Sequence, residues 1–124
     1  MTFSFRALAG MSATLCLLLS AVWMLAPEFV LALWRIDAPE PALIVARRGA
    51  ALFLGLGVML FLVRDARKSP ERDAISAGMA IACATLAALG FHEWLLQRAG
   101  AGVWLAIVTE LALVAAFVRA RLAP

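Results

Sequence analysis

The sequence predicts an all-α integral membrane protein, an antiparallel four-helix bundle with a short interfacial helix after the first span. Hydrophobic residues make up 65% of its 124 residues, against about 45–50% in an ordinary soluble domain. Its mean hydropathy is +0.98. The apolar residues fall into four runs, each near the ~20 residues a helix needs to cross ~30 Å of hydrocarbon. Together these predict one transmembrane domain over residues 1–124, with spans at about 7–26, 42–63, 74–96 and 102–118.

The first span is uncharged from Ala7 to Ala26, between Arg6 and Pro27. It is longer than the ~7–15 apolar residues of a secretory leader, and Trp23, Met24 and Pro27 spoil a small-residue cleavage site. A membrane span is therefore expected here. The segment Pro27 to Pro41 follows, with Phe29, Val30, Leu33 and Trp34 at helical spacing beside Glu28 and Arg35. Such a pattern suits a short amphipathic helix lying in the interface. Asp37, Pro39, Glu40 and Pro41 are expected to turn the chain into the second span. The second span opens with Arg47 and Arg48, and the fourth is broken only by Glu110.

Orientation is read from the basic residues. Arg6, Arg64, Arg67, Lys68, Arg72, Arg119 and Arg121 fall on one side, and Arg35, Arg47, Arg48 and Arg98 on the other. This asymmetry of seven to four predicts a multi-pass protein of the bacterial inner (plasma) membrane with both termini in the cytoplasm. It also accounts for the net charge of +3, so no nucleic-acid partner is expected. Trp23, Trp34, Trp94 and Trp104 all fall near the opposite boundary, as an aromatic belt requires.

Lipid supplies no hydrophobic drive between helices, so association depends on close backbone approach along small residues. Ala9, Ala13, Cys16 and Ser20 form such a stripe in the first span, and Ser76, Ala80, Cys83, Ala87 and Gly90 in the third. The second offers Ala51 and Gly55. The fourth offers Gly102, Ala106 and Thr109, then Ala112, Ala116 and Ala120. Cys16 and Cys83 read as small packing residues on these stripes, since free cysteine is commonly a buried small hydrophobe. One histidine and two separated cysteines predict no metal site. Gly55-Leu56-Gly57 lacks the strand and third glycine of a dinucleotide loop, and no cofactor is expected.

Ionisable groups at the centre of a membrane helix cost ~2.5–3.5 kcal/mol on insertion scales and mark functional sites by default. Arg47, Arg48, His92, Glu93 and Glu110 all fall in the half of the bundle marked by the tryptophans. The sequence allows Arg47 or Arg48 to meet Glu93 or Glu110 in a bidentate pair. Being adjacent, the two arginines point about 100° apart and cannot share one partner. This polar cluster reads either as a structural tie between spans two, three and four or as the lining of a ligand pocket.

The segment Ala46-Arg47-Arg48-Gly49-Ala50-Ala51-Leu52-Phe53-Leu54-Gly55-Leu56-Gly57 resembles the Arg-Gly then Gly-rich pattern of small bacterial four-helix membrane proteins of the DoxX-like and related uncharacterised families. Pro27-Glu28-Phe29 and Glu110-Leu111 are similar to those families too. The resemblance implies a four-helix bundle. Some DoxX relatives are accessory subunits of quinone-linked or redox complexes, but this chain carries no redox motif with which to take over that role.

The expected function is thus a non-enzymatic accessory subunit or a bundle that binds a small lipid or quinone-like ligand. Its expected partners are membrane lipid, such a ligand, and a larger membrane complex or a second copy. Two alternatives use the same residues. One is a small proton-coupled transporter working through Glu110; the other is a membrane-embedded lipid isomerase using His92, Glu93 and Glu110 for proton transfer.

Overall fold

A computed structural model describes residues 4–124, all of whose regular structure is helical. The helices are α1 (Phe5–Leu25), α2 (Pro27–Leu33), α3 (Glu40–Val63), α4 (Pro70–Leu95) and α5 (Val103–Leu122). All but α2 are long and apolar enough to cross a membrane. The chain is a multi-pass helical bundle whose large apolar side chains, among them Leu52, Leu62, Ile81 and Leu105, face outward. Such a surface suits lipid and would associate in water.

Caps and prolines set the boundaries. Ser4 accepts the Ala7 N–H at 3.2 Å and starts α1, and Ser69 accepts that of Arg72 at 3.2 Å and starts α4 four residues before the expected Ala74. Pro27 ends α1 and opens α2 at a position where its missing N–H costs nothing. For the same reason Pro41 lies within the first turn of α3, so the expected turn closes at Pro39. Helix α5 runs four residues past the expected Val118, and Lys68 ties down its end by donating to the carbonyls of Ala120 and Arg121.

Helices α2 and α4 both end on a left-handed residue that is not glycine, Arg35 (φ 55°) and Gln97 (φ 58°). Each is followed by a Schellman pair of hydrogen bonds. In α2 the N–H groups of Arg35 and Ile36 reach the carbonyls of Ala32 and Leu31 at 3.1 and 2.9 Å. In α4 those of Gln97 and Arg98 reach Trp94 and Glu93 at 3.0 and 2.9 Å.

Helix α1 packs along α3 and α4 along α5, and the two pairs meet through α1 and α5. The start of α1, the end of α5 and the α3–α4 loop lie at one end of the bundle, where Arg6 and Arg64 pair with Asp65 at 3.2 and 3.6 Å and Lys68 with Asp73 at 2.8 Å. The tryptophans occupy the other end.

All four long helices contribute to the main core, which centres on Phe117, Leu60, Ala9, Ala13, Cys16, Met79, Ala80 and Cys83. The small-residue stripe of α1 is buried as expected, and so is that of α4 except for Gly90, which is only partly covered. Ser20 also donates to the Ala50 carbonyl at 2.9 Å across the α1–α3 seam, a contact worth about 0.6 kcal/mol in a membrane.

Two packing expectations fail. Ala51 and Gly55 are exposed, and α3 buries Ala50, Gly57 and Leu60 instead. The buried residues of α5 are the large Val103, Ile107 and Phe117, whereas Ala106, Thr109, Ala116 and Ala120 are only partly covered and Ala112 is exposed.

Candidate functional site

The tryptophan end is held together by aromatic edges and one backbone contact. Trp23 meets Trp34 edge-on with ring centroids 5.5 Å apart, and Trp94 meets Trp104 at 5.2 Å. Phe91 contacts both Trp94 and Trp104 at 6.1 and 5.9 Å. Trp34, Ile36 and Trp104 pack on a second core of Ala87, Ala99, Val103 and Ile107. The Gly100 N–H donates to the Trp34 carbonyl at 2.6 Å, so α2 is latched onto the α4–α5 turn.

The five polar residues do not form one cluster. Arg47 and Arg48 are both exposed, and Arg47 Nε donates to the Met24 carbonyl at the end of α1, 3.3 Å away. Neither arginine makes an ion pair with Glu93 or Glu110; Glu93 pairs with Arg98 instead. Its Oε1 and Oε2 accept from Arg98 Nη2 and Nε at 2.9 and 2.7 Å, a bidentate contact across the Schellman turn. The physical reason is the order of the helices. Because α3 lies against α1 rather than against the α4–α5 pair, Arg47 meets a carbonyl of α1. His92 is exposed on the last turn of α4 and makes no hydrogen bond to Glu93.

Glu110 stands apart from these. It is partly buried near the middle of α5. Its carboxyl has no ion pair and no hydrogen bond to any described residue. Neighbouring Thr109 donates back to Leu105 at 2.8 Å and is no partner for it. Cys16 and Cys83 are free, buried and part of the same core. No group of three or more His, Cys, Asp and Glu suited to a metal ion occurs among the described residues.

Four polar residues outside the expected cluster border the seam between α1 and α5: Ser12, Thr109, Arg72 and Arg119. The signal for them in the sequence was the run of Ala112, Ala116 and Ala120 leading to a basic helix end. No family model, no curated protein and no solved structure matches this chain.

Proposed function

We propose that this chain is a non-enzymatic bundle of a bacterial inner membrane that serves as an accessory subunit or holds a small lipid or quinone-like ligand, with Glu110 as the point where it takes a partner from outside itself. The observation that carries this reading is the carboxyl of Glu110, partly buried near mid-helix and unbonded among the described residues. A carboxyl at that depth is costly to leave without a partner, and the described residues supply none. The excess of Lys and Arg at the end holding the termini supports their placement in the cytoplasm. The DoxX-like family placement rests on the Ala46–Gly57 segment and agrees with a non-enzymatic role.

The small-transporter reading uses the same carboxyl. The isomerase reading has less support, because Arg98 occupies Glu93 and His92 is exposed with no hydrogen bond to it.

Glu110→Gln keeps the size of the side chain and removes its charge. Wild type and variant are extracted in native lipid particles and weighed by native mass spectrometry. Wild type is expected to keep an added small molecule or subunit that the variant loses, with unchanged helicity and thermal midpoint. An equal retained mass contradicts the reading, as does a variant that no longer folds. Proton-driven flux in vesicles that disappears in the variant decides for the transporter.

A further inference from the structure

We propose that the seam between α1 and α5 binds one anionic phospholipid from the leaflet at the end holding the termini, with an acyl chain in the groove and the phosphate on Arg72 and Arg119. The groove is open because the facing residues are too small to close it. Ala112 and Ala116 lie opposite Leu8, leaving a 580 Å³ upper cleft that reaches Ser12 and Thr109. A 470 Å³ lower cleft shares Leu8, Ala112 and Ala116 with it and ends between Arg72 and Arg119, so the two form one channel.

Its length fits one leaflet. From Thr109 to Arg119 the helix rises about 15 Å, half of the ~30 Å hydrocarbon thickness.

Groups without partners border the channel. Ser12 is buried and its Oγ has no hydrogen bond among the described residues. Thr14, Ser76, Thr85 and Thr109, by contrast, each donate back to a carbonyl four residues earlier. Arg72 lies over the Phe5 ring at 4.1 Å and donates from Nη1 to the Ala66 carbonyl at 3.4 Å, while its buried Nε has no partner. Arg119 is exposed and forms no ion pair with a described residue.

The mouth thus carries two guanidinium groups and no carboxylate. Asp65 is held by Arg6 and Arg64, Asp73 is held by Lys68, and Glu71 lies outside the lining. Basic pockets between membrane helices recognise phosphate head groups through this kind of complementarity. Glu110 does not line the channel, so the inference stands independently of the reading given to that residue.

The test uses the delipidated full chain in a neutral detergent, titrated with short-chain phosphatidylglycerol, phosphatidylcholine of the same chains, and inorganic phosphate. Thermal midpoint and native mass spectrometry are the readouts. Phosphatidylglycerol is expected to bind one per chain and raise the midpoint, and phosphatidylcholine to bind at least about ten-fold more weakly. Arg119→Gln is expected to weaken phosphatidylglycerol by about ten-fold, the size of one charge-assisted hydrogen bond. Ala116→Leu, which fills the groove, is expected to abolish binding. Because Arg119 is exposed, its variant keeps the fold and decides the matter if Ala116→Leu misfolds. Equal affinity for the two lipids overturns the proposal, as does unchanged phosphatidylglycerol binding in Arg119→Gln. Displacement by equimolar inorganic phosphate would identify a free-anion site and overturn it too.

Discussion

Gly102→Val is expected to unlatch the tryptophan end and to cost the protein about 3 kcal/mol, the upper range for overpacking. Gly102 precedes α5 in ordinary right-handed backbone, so its need for glycine is one of space. A Cβ built there meets the carbonyl oxygen of Leu33, which is backbone and cannot swing aside. Valine would push α2 off the α4–α5 turn, break the Gly100 to Trp34 hydrogen bond and separate Trp34 from Val103 and Ile107. Unfolding in mixed detergent measures the stability loss, and a red shift of tryptophan emission reports the exposed ring. Gly55→Val is the matched control. Nothing lies within 4 Å of a Cβ at Gly55, so a change no larger than its helix propensity is expected there.

The second large effect is expected from Phe117→Ala. Phe117 is fully buried and is the largest such side chain in the main core, where it packs with residues of α1, α3 and α4. In water such a truncation costs about 3–5 kcal/mol, part of it from transfer of the ring out of solvent. Between helices already in lipid that part largely vanishes, and the cavity is what remains. About 100 Å³ of lost ring at ~24 cal/mol per Å³ gives about 2.4 kcal/mol. The same detergent titration checks this value, and Phe117→Leu should recover more than half of the loss.

The parts of the fold that were legible are those where one signal dominated. The spans were readable because lipid demands long uncharged runs, and the short helix after the first span because Phe29, Val30, Leu33 and Trp34 recur at helical spacing behind Pro27, although the fold buries Val30 and Leu31 and leaves Phe29 and Leu33 exposed. The seams of α1 and α4 were readable because their small residues recur on a single face.

Helix α3 was ambiguous. It carries small residues all round, at Ala46, Gly49, Ala50, Ala51, Gly55 and Gly57, and a four-residue spacing cannot say which pair meets a neighbour. The face chosen by the fold is Ala50 and Gly57, where a Cβ on Gly57 would come 2.8 Å from the Leu17 side chain. In α5 the opposite holds: the small face is the one left partly open, and Val103, Ile107 and Phe117 make the contacts.

The candidate site was legible as a set of costly charges but not as a set of pairs. Which charges meet depends on the order of the helices around the bundle, and hydropathy carries no information about that order. With α3 beside α1, Arg47 reaches a backbone carbonyl and Arg98, in the following turn, takes Glu93. Glu110 meets neither arginine and remains an ionisable group inside a span with no partner among the described residues.

Glu110 and the α1–α5 groove lie inside the membrane only if the chain crosses it four times. Cysteine labelling tests this most directly, after Cys16 and Cys83 are replaced by alanine. Single cysteines are placed at Ser69 in the α3–α4 loop, at Ala123 after α5, and at Ala101 in the α4–α5 turn. Each is then treated with a membrane-impermeant maleimide from one face of sealed vesicles. The account predicts that Ser69→Cys and Ala123→Cys label from the same face and Ala101→Cys only from the opposite one. Labelling of Ala101→Cys and Ser69→Cys from the same face would contradict it.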